Sequence, residues 1–197
     1  MNIFKTIKNL FKKNNHITDR NKNIYDNTFW KKRIEDAVKN NNLRYSVFKA
    51  PQNIWIDIIN DHVNIIYNIV DRDSNILDAG CGYGRLVDLL DKQYYNGKYV
   101  GIDQSTDFIE IAKELYPDKE FYCIDLKKLP FEDNTFDISI CCSLMIMIVQ
   151  NLGWFEWEKI QNELLRVSKN GILCLEYGCS DTNTSSDTYY LIRKNKI

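Results

Sequence analysis

The chain has 197 residues, six cysteines and a formal net charge of -1. That length suits one domain with room for a full hydrophobic core, and the near-neutral charge excludes any global attraction to nucleic acid. No apolar run approaches a membrane span, the N-terminus lacks the continuous apolar core of a signal peptide, and the cysteines (81, 123, 141, 142, 174 and 179) form no CxxC pair, so thiols in a reducing, cytoplasmic compartment are expected rather than disulfides or a metal site.

Residues 1–23 set Ile3, Phe4, Ile7, Leu10 and Phe11 at helical spacing among Lys5, Lys8, Lys12 and Lys13. Such a basic amphipathic segment could lie on an anionic membrane, although a helix packed on its own domain or a frayed terminus is the favoured reading. Asn14, Asn15, Asn21 and Asn23 mark a polar linker, after which a domain runs over 24–197. Helices are predicted over Tyr25–Ala37 and Gln52–Val70. In the second, Ile54, Ile58, Ile65 and Ile69 form a stripe beside Trp55, Ile59, Ile66 and Val70, and His62 on that face reads as a packed or surface histidine.

Asn75–Ala79 is an apolar run carrying Asp78. Gly80, Gly82 and Gly84 then alternate with Cys81 and Tyr83 before an amphipathic segment, Arg85–Leu90. This pattern predicts a buried parallel strand, a tight loop and a helix whose first N–H groups would face an anionic ligand group. A dinucleotide fingerprint would put its third glycine where Arg85 stands, so the spacing favours a methionine-bearing cofactor whose ammonium Asp78 could hold.

A second strand, Tyr99–Ile102, ends in Asp103, placed to accept hydrogen bonds from both hydroxyls of a ribose. Ser105 is the expected N-cap of a helix with Ile109, Ala112 and Leu115 on its apolar face. A third strand, Glu120–Ile124, ends in Asp125, which could accept from an adenine amino group while Leu126 packs beside the ring. A fourth strand, Phe136–Cys141, leads into the apolar stretch Ser143–Gln150. Met145, Trp154, Phe155 and Trp157 could line a pocket there, core packing being favoured. A fifth strand over Ile172–Tyr177 leaves few residues behind it. Tyr189–Arg193 could add one strand or a short helix, and the fifth strand is expected at or near an edge open to a homodimer or partner subunit.

DAGCGYG, GIDQS, IDLKKLPFEDNTFDISICCSLM and ELLRVSKNGILCLE resemble, in order and separation, the motifs of class I (Rossmann-like) S-adenosylmethionine-dependent methyltransferases over about Ile54–Gly178. The resemblance implies an α/β fold: a mostly parallel central sheet with helices on both faces and a shortened C-terminal side. Within it, 24–70 would hold N-terminal helices covering the cofactor site, 71–178 the cofactor-binding core and 179–197 a short C-terminal segment. Arg33, Tyr45 and Lys49 are the lid candidates. It implies S-adenosylmethionine as cofactor, S-adenosylhomocysteine as product, and a site formed by Asp78, Gly80, Cys81, Gly82, Gly84, Asp103, Gln104, Asp125, Leu126 and Cys142.

In-line methyl transfer needs positioning more than a nucleophile. Candidate bases are Glu176, Tyr177, Asp181 and His62, with Glu176 read as a solvated strand-end carboxylate. The fourth strand lacks the Asn/Asp-Pro-Pro-aromatic motif, no Pro-Cys pair is present, and no basic aromatic platform extends along the chain, so a small-molecule or protein acceptor is favoured over DNA. The alternative is a non-catalytic subunit of this fold that needs a partner chain.

Overall fold

The computed structural model describes residues 27–40, 42–43, 52–91, 95–176 and 188–194. The basic segment 1–23, Tyr45, Lys49, Tyr177, Cys179 and Asp181 lie outside the described residues. The chain divides into two compact units, Met1–Gln52 and Asn53–Ile197. In the first, helix α1 (Asn27–Lys39) buries Ile34 and Ala37. The lid candidate Arg33 stacks over two rings of its own helix, 5.7 Å from the Phe29 centroid and 5.9 Å from that of Trp30.

The second unit begins with α2 (Gln52–Ile69) and alternates thereafter: β1 (Ile76–Ala79), α3 (Arg85–Asp91), β2 (Tyr99–Asp103), α4 (Thr106–Leu115), β3 (Glu120–Cys123) and β4 (Ile138–Cys142). Helices α5 (Leu144–Leu152) and α6 (Trp154–Val167) precede β5 (Gly171–Glu176) and β6 (Thr188–Arg193). The strands form one sheet in the order β3-β2-β1-β4-β5-β6, parallel except for β6. Every residue of β1 and β5 is buried, as expected for strands covered on both faces. On one face Ile76, Ile138, Ile140, Leu173 and Leu175 pack with Ile66 and Val70 near α2, Leu86 and Leu90 of α3, and Ile109 and Ala112 of α4.

Ser105 caps α4 as the sequence predicts, its Oγ accepting from Phe108 N–H. The fifth strand lies next to the sheet edge, and the segment expected to add one strand or a short helix forms that edge strand. β6 pairs along all of β5, from Gly171 opposite Arg193 to Glu176 opposite Thr188, so β5 is interior and β6 takes the edge. The strand open to pairing with another chain on this side of the sheet is therefore β6 rather than β5. The aromatic residues after α5 also divide differently from the core reading. Trp157 is buried and donates Nε1–H to Gln161 at 2.9 Å, whereas Trp154 and Phe155 are exposed.

The chain runs outward from β1 to β3 and then returns to the other side of β1 for β4 to β6. The carboxyl ends of β1 and β4 therefore flank the point where strand order reverses, where open α/β sheets form their ligand crevice.

Candidate functional site

The loop after β1 stands at that reversal. Gly80, Gly82 and Gly84 all have positive φ (73°, 55° and 84°), a backbone state that side-chain-bearing residues adopt at a cost. A Cβ on Gly80 would lie 3.1 Å from Leu144 of α5, so the bare backbone lets β1 and α5 close together. A Cβ on Gly84 would meet Tyr116 at 2.9 Å and Phe121 at 3.0 Å, so the third glycine seats α3 against the β2–β3 side.

The amides of the loop itself are engaged within the protein. Gly80 and Cys81 N–H both donate to Ile102 O (2.8 and 3.0 Å), Gly82 N–H to Asp103 Oδ2 (2.9 Å) and Gly84 N–H to Cys81 O (3.0 Å). The first three of these bonds hold the loop onto β2, and the fourth closes the loop on itself.

Asp103 ends β2, and its carboxylate clasps two loops: Oδ2 accepts from Gly82 N–H and Oδ1 from Ser105 N–H, each at 2.9 Å. Burial raises its pKa, while the amides of Ser105, Gly82 and Gln104 oppose the rise. Each carboxylate oxygen can accept twice, so acceptor capacity remains for a diol. Beside it, Ile124 N–H donates to Asp103 O (3.0 Å) and Cys123 Sγ to Gln104 O (3.4 Å), which draws the end of β3 against β2. Asp125 is exposed and accepts from Lys127 N–H at 3.0 Å, while Leu126 is buried.

Asp78 is 2% exposed and accepts from Tyr99 Oη–H at 2.7 Å. Burial pushes its pKa up to about 7, against the bond from Tyr99 and the nearby Arg85. Tyr99 is a site residue the sequence does not announce. It reaches Asp78 because Gly101, the register partner of Asp78, has no side chain to intervene. Cys142 at the end of β4 is raised to about 11 by burial, with Arg85 opposing and Asp78 adding. Asp78, Gly80, Cys81, Gly82, Asp103, Gln104 and Cys142 thus sit at the ends of three adjacent strands, with Asp125 and Leu126 one strand further out.

Two further polar side chains are buried near these ends. His62 of α2 is 1% exposed, neither ring nitrogen has a hydrogen-bond partner among the described residues, and burial lowers its pKa to about 4, assisted by Arg85. Glu176 is also 1% exposed, which corrects the solvated reading of that residue. A clamp absent from the sequence reading fixes the loop beyond Leu126: Glu163 accepts from Leu129 N–H at 2.8 Å, and Arg166 donates to Phe131 O at 2.7 Å and Leu129 O at 3.0 Å.

Comparison with known proteins agrees with this geometry. Residues 76–171 match the family described as "Methyltransferase domain". The ubiquinone/menaquinone biosynthesis C-methyltransferase UbiE of Campylobacter jejuni is 32% identical over 111 residues, covering 52% of this chain and 43% of the relative. A solved structure from Pyrococcus horikoshii is 27% identical with a TM-score of 0.55, covering 68% of this chain and 64% of that one. A Methanococcus maripaludis structure, 21% identical, shares the fold with a TM-score of 0.57 over 82% of this chain and 68% of that one. The chain spans less than half the length of the curated relatives it matches first, between 34% and 43% of each. With the glycine loop at the strand reversal and an acidic residue closing β2, the matched segment, residues 76–171, is a methyltransferase domain of the class I S-adenosylmethionine-dependent kind.

Proposed function

We propose that the chain transfers a methyl group to a small-molecule or protein acceptor, with S-adenosylmethionine as donor and S-adenosylhomocysteine as product. The observation that carries this reading is the pair of strand-end carboxylates around the glycine loop, Asp78 and Asp103. The donor set fits the cofactor's chemistry: one buried carboxylate suits an ammonium, and one with spare acceptor capacity suits a ribose diol. When bound, the cofactor supplies a methyl group made electrophilic by its sulfonium. Gly80, Cys81, Gly82, Gly84, Gln104 and Cys142 would shape the pocket wall, and Asp125 with Leu126 the adenine end. Their work is to orient the donor and exclude water, which can supply ~7 kcal/mol or more of barrier reduction.

The non-catalytic alternative is motivated by the short C-terminal side, which adds a single strand, β6, beyond β5, and turnover by the isolated chain would exclude it. Among the described residues no helix is long and apolar enough to cross a membrane. The buried thiols Cys81, Cys141 and Cys174 support a reducing, cytoplasmic setting. Calorimetric titration with S-adenosylmethionine and S-adenosylhomocysteine, with NAD as control, is expected to show micromolar binding of the first two only. Binding of neither would overturn the proposal.

Asp78 adds a pH dependence. Its pKa of about 7 means that the neutral acid dominates below neutrality and the carboxylate above it. An ammonium prefers the carboxylate, so affinity for S-adenosylhomocysteine should rise as pH passes upward through 7, by up to about tenfold per pH unit for a single titrating group. Asp78→Asn should flatten that profile. A wild-type affinity that is constant across this range would detach Asp78 from the ammonium.

A further inference from the structure

Glu176 closes β5 at a strand end, where water is ordinarily near, yet it is 1% exposed. One of its oxygens is accounted for by α5. Ser143, just before that helix, adopts a left-handed conformation (φ 56°, ψ 23°), and its hydroxyl makes no capping bond. The first amides of α5 therefore lack their usual side-chain acceptor. Glu176 Oε1 supplies it, accepting Met145 N–H at 3.1 Å, and the Ile146 amide also favours the charged carboxylate. Ser143 N–H in turn donates to Leu175 O at 2.7 Å, which locks the start of α5 to the end of β5.

The other oxygen is different. Glu176 Oε2 is buried and has no hydrogen-bond partner among the described residues. Leaving a buried polar atom unmet costs ~1–3 kcal/mol, more for a charged group, so its retention needs a reason. Its position suggests one. Cys142 at the end of β4 feels the charges of Arg85, Asp78 and Glu176, and Glu176 ends the next strand, β5, two strands from Asp78 of β1 on the same carboxyl-end rim of the sheet.

We propose that Glu176 is the general base for the methyl acceptor: Oε1 is anchored at the start of α5, and Oε2 receives the proton of an acceptor O–H or N–H group. The inference rests on the methyl-transfer reading above. As the acceptor atom's electron pair forms the new bond to the methyl carbon, the C–S bond breaks and its pair returns to sulfur. The sulfonium becomes a neutral thioether, the acceptor proton moves to Oε2, and the carboxylic acid so formed later releases that proton to water.

The surroundings suit the task. Burial holds the Glu176 carboxyl at about 7, against the two amides, which matches a base working near neutrality. The titratable groups facing it from β4 are the thiols of Cys141 and Cys142, both raised and therefore neutral at pH 7. Helix α5 (LMIMIVQNL) has no ionisable side chain, and β6 sets Thr188 opposite.

The test uses the full chain labelled with [5-¹³C]glutamate, titrated over roughly pH 5 to 9 with and without S-adenosylhomocysteine. Glu176→Gln assigns the resonance by its loss, and Glu176→Asp provides a second assignment if the first variant folds poorly. The Glu176 signal is expected to titrate in the neutral range in both states. Glu176→Gln should keep its affinity for S-adenosylhomocysteine, because the amide oxygen still accepts from Met145 N–H. For any phenol, catechol or primary amine found to accept labelled methyl, Glu176→Gln should lower kcat by about 10²–10⁴-fold with KM for the donor unchanged. Titration in the ordinary carboxylate range, or loss of titration on S-adenosylhomocysteine binding, would overturn the assignment. A loss of affinity of about tenfold or more in Glu176→Gln would instead make this residue a cofactor ligand. If the wild type fails to bind S-adenosylhomocysteine, the methyl-transfer reading falls first, an outcome distinct from a silent Glu176 in a protein that binds it.

Discussion

Gly84→Ala is expected to lower the melting temperature by roughly 5–15 °C. Two costs combine. The residue has φ 84°, and a left-handed conformation costs an L-residue with a Cβ roughly 1–2 kcal/mol. The new methyl would also sit 2.9 Å from the Tyr116 ring and 3.0 Å from Phe121. Phe121 cannot easily yield toward β2, because it already lies 2.6 Å from where a Cβ on Gly101 would stand. Overpacking of this kind costs about 1–3 kcal/mol, and in a chain of this size each kcal/mol moves the midpoint by about 2–4 °C. The steric share can be isolated. In the Gly84→Ala background, Tyr116→Ala should cost less than it does in the wild type, a coupling that a double-mutant cycle measures. A Gly84→Ala protein melting within about 2 °C of wild type would mean that α3 has room to move away from the β2–β3 side.

The legible parts of the molecule are those whose chemistry is local. An apolar strand ending in a glycine loop, an acidic residue ending the next strand and a serine before a helix each read from a few neighbouring residues, and the structure has all three where the sequence places them. Gly84 was legible as a loop residue, but not as the seat of α3, because Tyr116 and Phe121 lie more than 30 residues on. The pairing of Tyr99 with Asp78 likewise depends on strand register and on the missing side chain of Gly101.

Glu176 shows why position along a strand is a poor guide to burial. Its exposure was misjudged because α5, which begins 32 residues earlier, lays its first turn over the end of β5. Whether β5 would be the edge strand itself or its neighbour was left open for a related reason. The few residues before β6 carry no periodic pattern, so a strand that pairs antiparallel with β5 along its whole length gives only a short signal of its own. Trp154 and Phe155 follow Gly153, whose φ of 89° turns the chain at the start of α6. That turn leaves both rings outside the core while Trp157, almost one turn later, enters it.

Asp103→Ala is expected to weaken S-adenosylhomocysteine binding at least about tenfold, the loss of a ligand contact and of a loop anchor together. The carboxylate has two tasks that the structure makes separable. Its bonds to Gly82 and Ser105 N–H shape the glycine loop, whereas its remaining acceptor capacity is what a ribose would use. A single substitution mixes the two, because an alanine leaves both amides without their acceptor and can deform the loop. The 2′-deoxy and 3′-deoxy forms of S-adenosylhomocysteine separate them. The wild type should bind each deoxy form more weakly than the parent compound, since a hydroxyl that donates to Asp103 is gone. In Asp103→Ala the parent and the deoxy forms should bind almost alike, because the acceptor is already missing. That convergence is the coupling a cycle between protein and ligand measures, and loop deformation alone would not produce it. Equal discrimination by both proteins would leave Asp103 as a loop anchor only, with the ribose held by some other residue of the crevice.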